Sequence, residues 1–458
     1  MSSQARYNLT EGPIFSKMLK LSLPIMATSL MQSAHNLTNM FWLGWLGEWY
    51  VAAAGLAGQF IWMSFSLAFM CRIGAEIGVS QNMGKGDSQS AKAYGQNAFM
   101  LALFVGISYA ALMIILRRSL LGFFNIENQY VFEIAQQYMS IAVLSLPFMF
   151  GHFVITGIYN GFGNTKIPFY INSGALLLNI VLSPILIFVF DLGIIGAAIS
   201  MTIAAALNLL VKIWAMTKYK NRPFEHYAPF VVVAKDKIRQ ILKWGVPIGA
   251  EQLLFALLFM FITRLISSFG EGAVAAHSVG VQIESLSFMI GGGFASAITA
   301  FIGQNYGAKK WGRLRQSYRV ASIFMAIYGV IITFTLFMFA VPLVSVFLTE
   351  PESIAMGASY LQIIALAQFL FCLEGVATGS FRGRGLTMKP TIAGIASNVF
   401  RVIICYVLAA TALGTSGIWW GIALAMTLRS TWILIWHWIN VRKLPKVDDA
   451  LEKMENLE

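Results

Sequence analysis

At roughly 150 residues per domain, a soluble chain of 458 residues would hold about three domains, yet 58% of the residues are hydrophobic and 11% charged, where soluble chains carry about 25% charged. A mean hydropathy of +0.70 leaves too little polar surface to face water, which disfavours a disordered chain, a secreted disulfide scaffold and a soluble enzyme. The formal net charge of +12 matters less for its size than for its placement.

The apolar runs are roughly 20 to 30 residues long and mostly lack the strict polar alternation of a barrel strand, so the chain reads as an all-α membrane protein. In chain order the spans fall near 14–39, 51–82, 93–119, 131–162, 168–190 and 193–217, then 238–268, 272–304, 316–347, 354–381, 389–412 and 415–441, which makes twelve transmembrane helices. The first run follows a tail carrying Glu11, holds Pro24 and lacks a small-residue cleavage site, so it is a retained span and not a signal peptide.

Lys and Arg gather in alternate loops. They occur at Lys17 and Lys20, at Lys85 and Lys92, through a central loop from Lys218 to Lys243, from Lys309 to Arg319, from Arg382 to Lys389, and in the tail from Arg442. The remaining loops hold mainly acids, among them Glu48, Glu127, Asp191, Glu271 and Glu350, with Arg117 and Arg118 as exceptions. By the positive-inside rule both termini and the central loop are cytoplasmic, in a multi-pass protein of the plasma (inner) membrane. Basic residues spread one loop at a time point to topology and not to a nucleic-acid partner.

Few motifs carry catalytic chemistry. Cys71, Cys372 and Cys405 sit singly in apolar runs, and HExxH, GxSxG and a correctly spaced phosphate loop are all missing. No enzyme, ATP-driven pump, cofactor or metal site is expected.

The most informative pattern is an internal repeat. Pro24 matches Pro247 and Gln81-Asn82-Met83-Gly84 matches Gln304-Asn305-Tyr306-Gly307, each 223 residues apart. TGIYNGFGNTKIP from Thr156 matches TGSFRGRGLTMKP from Thr378 at 222, and Gly193 with Gly196 match Gly414 with Gly417 at 221. The organisation expected is a six-helix lobe over 1–217, a cytoplasmic linker over 218–237, a second six-helix lobe over 238–441 and a tail over 442–458. An even number of spans per lobe makes the repeat parallel, and such repeats place substrate sites near the lobe interface.

These landmarks, with Leu178-Asn179-Ile180-Val181-Leu182-Ser183-Pro184 in the fifth span, resemble the multidrug and toxic compound extrusion (MATE) family, closest to its DinF-like branch. The resemblance covers about residues 14 to 441. It implies a secondary antiporter, a monomer among membrane lipids, that exports amphiphilic or cationic organic compounds in exchange for H⁺ or Na⁺ by rocking two lobes about a central cavity. The chain departs from the DinF-like pattern where that pattern carries aspartates, with Asn39 in the first span and Ser183 in the fifth. Asn36 and Asn179 remain, so an amino-lobe pocket of neutral oxygens is expected in the substrate cavity, unable to take up a proton.

An acid at mid-bilayer costs about 2.5 to 3.5 kcal/mol and is a functional candidate by default. Glu251 and Glu284 each lie about a dozen residues into their spans, some 17 Å deep at roughly 1.5 Å per residue. They are the expected sites of cation or proton coupling, with Glu374 as a third, near the place where the resemblance puts a carboxylate in Na⁺-coupled members. Alternatively each only bonds a neighbouring helix or pairs with Arg264 or Arg401. At the repeat offset Glu374 matches His152 and Arg401 matches Asn179, so His152 and Arg401 join the expected cavity residues. Arg401 is expected to neutralise a buried Glu, and Arg72 to pair with Glu76 one helical turn away. Gln252, Phe288 and Met289 lie at cavity depth, where aromatic faces and the adaptable Met suit varied organic substrates. Two other readings fit neutral amino-lobe positions, a flippase for lipids or lipid-linked glycans of a related fold, and a receptor or scaffold that does not transport.

Overall fold

The computed structural model describes residues 7–124, 128–220 and 222–445, apart from the side chains of Ser33, His35, Asn36 and Leu37. The expected cavity residue Asn36, the loop acid Glu127 and tail residues 446–458 therefore lie outside the described residues.

Among the described residues twelve helices are long and apolar enough to cross a bilayer, and there is no strand. They are α1 (Ile14–Leu46), α2 (Glu48–Gly84), α3 (Ser88–Gly122), α4 (Gln129–Phe162), α5 (Lys166–Val189), α6 (Gly193–Lys218), α7 (Lys235–Ser267), α8 (Glu271–Gly307), α9 (Trp311–Met338), α10 (Pro351–Gly383), α11 (Met388–Ala409) and α12 (Thr415–Arg442). This is the all-α architecture expected from the apolar runs. A 3-10 turn at Val143–Ser145 interrupts α4, and α5 widens into a π turn over Ile185–Val189, just beyond Pro184. Asp87 and Asn128 start α3 and α4 by accepting from the backbone N–H groups of Ser90 and Tyr130 at 2.8 and 3.0 Å.

The helices form two compact units, the first built on Ala27–Gly249 and the second on Leu9–Met26 together with the chain from Ala250 onward. Both α1 and α7 therefore change unit along their length, and in each the change falls two residues after a proline, Pro24 or Pro247. A proline inside a helix removes one backbone donor and crowds the preceding turn, which makes it a natural point of weakness.

In unit 2 the apolar side of the leading segment, through Ile14, Met18, Leu21 and Ile25, joins a core with Phe294, Ile298 and Phe301 of α8. The Leu9 N–H donates to Gln304 Oε1 at 2.9 Å, and Arg313 donates to the Leu9 carbonyl at 3.2 Å. In unit 1, Trp244 and Ile248 of α7 pack on Ile73 and Ile77 of α2. The linker ahead of α7 is fastened to the same unit. Gln96 donates to the Ala228 carbonyl at 2.7 Å, Asn97 accepts from the Ala234 N–H at 2.7 Å, and Phe224 and Tyr227 are buried.

The repeated TG-x-x-x-G segment has a physical reason. A Cβ added at Gly157 or Gly161 of α4 would lie 2.7 Å from the carbonyl oxygen of Arg72 or Glu76 on α2. In unit 2, a Cβ at Gly379 or Gly383 of α10 would lie 2.5 or 2.6 Å from the carbonyl oxygens of Ala295 and Thr299 on α8. The repeat offset relates all four pairs, so glycine permits the same backbone approach in both units, as small residues do between membrane helices. The third glycine of each motif, Gly163 or Gly385, ends its helix with φ of 100° or 76°, a conformation that side chains resist.

Substituting Gly157→Ala or Gly379→Ala should force these helices apart and cost about 1 to 3 kcal/mol, as overpacking does. Gly55→Ala on α2, where nothing lies within 4 Å, should be neutral. Thermal melting of the purified variants in detergent checks this, and equal melting of all three would contradict the close-approach reading.

Candidate functional site

Four helices of unit 2 meet around one guanidinium. Arg429 of α12 places Nη2 at 3.0 Å from Glu251 Oε1 of α7 and Nε at 2.9 Å from Glu374 Oε1 of α10. Ser430, the next residue on α12, donates to Glu374 Oε2 at 2.9 Å. Gly394 of α11 makes the fourth wall, since any Cβ there would collide with the Glu251 carboxylate. Glu251 and Glu374 are each 3% exposed, and the Arg382 guanidinium also lies near enough for its charge to act on Glu251.

Glu284 lies apart from this array. It projects from α8 and accepts from Tyr360 Oη at 2.6 Å and from Gln368 Nε2 at 3.1 Å, both on α10, while Ser287 donates to Gln368 Oε1 at 3.3 Å. Its hydrogen-bond partners are neutral. The other face of Tyr360 meets an aromatic group in which the His277 ring stacks on Trp419 at 5.5 Å and on Phe259 at 5.8 Å.

The pairing differs from expectation. Arg401, expected to neutralise a buried Glu, lies over the Phe255 ring at 5.4 Å and near enough to Glu284 for its charge to act on that carboxylate, though among the described residues it forms no ion pair within 4 Å, and Arg264 is exposed. Arg429, which the span pattern did not single out, takes that part because the turn of α12 brings it between α7 and α10. Arg72 and Glu76 do approach along α2, at 4.0 Å.

Unit 1 contains a cavity of about 180 Å³ lined by Thr28, Gln32, Arg72, Ser145, His152, Thr156, Asn172 and Asn208 with an apolar remainder. His152 is thus the expected cavity residue that reaches it. Asn179 and Ser183 do not line it. Both are fully buried and join α5 to α6 through the Ser200 hydroxyl, at 3.3 and 2.7 Å. Asn39 and Met289 are half-buried on α1 and α8, Gln252 is exposed on α7, and Phe288 is 41% exposed and packs on Phe371 at 4.3 Å. Behind the cavity wall lies Lys212 of α6, fully buried, whose Nζ donates to Thr156 Oγ1 at 2.9 Å, Asn172 Oδ1 at 2.8 Å and the His152 carbonyl at 3.3 Å.

The repeat relates the two places. Glu251, Glu374, Gly394 and Arg429 correspond to Thr28, His152, Asn172 and Asn208, and all four of the latter line the unit 1 cavity. One position in the repeat is thus an ion array in unit 2 and a cavity backed by a buried lysine in unit 1.

Arg429→Gln should destabilise the fold by about 3 to 5 kcal/mol, because two buried carboxylates lose their counter-charge. Adding Glu251→Gln and Glu374→Gln should recover most of that loss, since charge and counter-charge then leave together. Melting temperatures in detergent separate the variants, and an unchanged melt for Arg429→Gln would contradict the ion array.

The MatE family profile matches residues 24–185 and again 247–407, once in each half of the repeat. The probable multidrug resistance protein NorM of Thermotoga maritima is 26% identical over 429 residues, 91% of this chain and 91% of its own length. Among solved structures, MATE in the bent conformation superposes with a TM-score of 0.90 at 21% identity, covering 97% of this chain and 98% of that one. A MOP superfamily transporter from Pyrococcus furiosus Vc1, whose reverse binding-pocket polarity suggests a different function, gives 0.88 at 22% identity, covering 96% and 99%. A family profile that spans both halves, on a chain of twelve apolar helices, establishes that this chain is an integral membrane transporter of the MatE family and not an enzyme.

Proposed function

We propose that this protein is a secondary active exporter of amphiphilic organic compounds, driven by exchange for H⁺ or Na⁺ through alternating access. Support for the cargo comes from relatives named as multidrug resistance and multidrug export proteins. The clustering of basic residues in alternate loops supports a plasma-membrane protein with both termini in the cytoplasm. The protein acts as a monomer in this reading.

The observation that carries the coupling is the environment of Glu284. The Glu251 and Glu374 carboxylates are each tied to Arg429, so adding a proton to either loosens an ion pair. Glu284 is 5% exposed and bonded by neutral groups. Its Tyr360 partner can reverse roles, since a phenol hydroxyl both donates and accepts. A protonated Glu284 can therefore donate to Tyr360 Oη while the Gln368 amide keeps donating to the other carboxyl oxygen. Glu284 is the proton carrier in this mechanism. In this reading Glu251 and Glu374, two carboxylates brought together on Arg429, are the place for a coupling cation. Exchange requires that each ligand bind the outward and inward states with different affinity, because equal affinity shifts neither population.

The test is gradient-driven efflux from proteoliposomes loaded with a fluorescent amphiphile, in separate preparations with a cationic and an anionic dye. Glu284→Gln should reduce H⁺-driven efflux at least tenfold while its melting temperature stays near that of the wild type, because Gln keeps the shape and one acceptor. Wild-type rates in that variant would remove Glu284 from the mechanism. Absence of efflux of either dye under H⁺ and Na⁺ gradients would remove the exporter reading itself.

A further inference from the structure

We propose that the unit 1 cavity is a binding site for an amphipathic organic anion, its acidic head seated against Arg72, Asn172 and the Lys212 ammonium. The argument begins with charge. Among the described residues, the strong bases Arg72 and Lys212 and the acid Glu76 stand around this cavity, two bases to one acid. Lys212 is fully buried, and the partners of its Nζ are the Thr156 hydroxyl, the Asn172 amide oxygen and His152, all neutral acceptors. Three such acceptors match the three donors of an ammonium and leave its charge without an opposite one. Neutral acceptors satisfy its N–H groups, and an anion reaching the cavity would add the opposite charge that they do not supply.

The repeat shows what occupies this place when the anion belongs to the chain. In unit 2 the counterpart of His152 is Glu374, whose carboxylate meets the basic residue of the last helix, Arg429, at 2.9 Å. In unit 1 the last helix again supplies a base, Lys212, but the positions matching the two glutamates are Thr28 and His152. Where unit 2 is filled by its own carboxylates, unit 1 is hollow, and Lys212 stands one hydrogen bond behind the wall.

The rest of the lining selects the ligand class. Met31, Ile61, Phe65, Met149, Phe153 and Leu176 give the cavity an apolar majority, and its volume of about 180 Å³ takes more than an inorganic ion. Arg72 reaches the cavity between the Phe69 and Phe153 rings, at 5.5 and 6.0 Å, an orientation suited to a flat acidic head beside an aromatic body. A carboxylate there would accept from Arg72 and draw the Lys212 ammonium out of its neutral shell. The same chemistry is offered by a soluble aryl acid and by an acidic lipid headgroup.

The site concerns binding, so it can be tested apart from transport. The full chain is placed in phosphatidylcholine nanodiscs, and binding of radiolabelled naphthoate is compared with that of neutral naphthamide and of cationic naphthylmethylammonium. Naphthoate should bind at least tenfold more tightly than either. Lys212→Met should abolish the preference, and Lys212→Arg should restore it. Equal binding of the acid and the amide in the wild type, a measurement that needs no variant, would overturn the proposal, as would preference for the ammonium or an undiminished preference in Lys212→Met. Adding phosphatidylglycerol to the discs distinguishes the sources. Displacement of naphthoate supports the site with a lipid headgroup as its ligand, and unaltered binding supports it with a soluble acid.

Discussion

A charged group inside an apolar helix bundle must be met by opposite charge or by a full set of hydrogen bonds, at a cost of several kcal/mol if it is not. In unit 2 the requirement is met within the chain, through Arg429 between Glu251 and Glu374, and three helices, α7, α10 and α12, are held in register by that one contact. Glu284 meets it differently, through two hydrogen bonds from neutral groups on a single helix. A proton on the first would break an ion pair, and a proton on the second can be donated in a hydrogen bond to a hydroxyl that accepts as well as donates. Roles that look alike as acids in mid-span separate once their partners are known.

The backbone frame beneath these groups is nearly the same in both units. Gly157 and Gly161 in one, and Gly379 and Gly383 in the other, let a pair of helices touch main chain to main chain. Such contacts leave little freedom for one helix to slide or rotate against the other, because either motion drives an α-carbon into a carbonyl. Side chains at matching positions therefore point to matching places. That is why Glu374 and His152, or Gly394 and Asn172, can be compared as chemistry at one location.

Hydropathy made the twelve spans legible, because length and apolar content alone decide what crosses a bilayer. The repeat was legible too, since prolines and glycines answer to backbone geometry and keep their spacing. Pairing was not. Whether Arg401 or Arg429 reaches Glu251 depends on the rotation of α11 and α12 about their axes, and both arginines lie deep in apolar runs with no local pattern to separate them. Lys212 and Arg429 carried a signal that was available, as bases within spans 193–217 and 415–441, where the cost of a buried charge applies as it does to acids. Asn179 and Ser183 erred the other way. Polar residues in a span suggested a pocket, but the Ser200 hydroxyl absorbs both in a closed α5–α6 contact.

That closed contact bears on how the two units divide their work. With Asn179 and Ser183 spent on helix packing, the charge-bearing groups at the unit 1 cavity are Arg72, Glu76 and Lys212, with His152 beside them. Glu76 approaches Arg72 along α2, so proton exchange there would weaken an ion pair, as it would at Glu251 or Glu374. A carboxyl hydrogen-bonded by neutral groups is found in unit 2, and among the described residues an arginine and a buried lysine stand beside a cavity in unit 1. In the proposed scheme, a chain built from one repeated fold carries a proton in one half and recognises a ligand in the other. Substitutions at the matching positions, His152 against Glu374 and Asn208 against Arg429, are sufficient to separate the two chemistries without any change in the backbone that presents them.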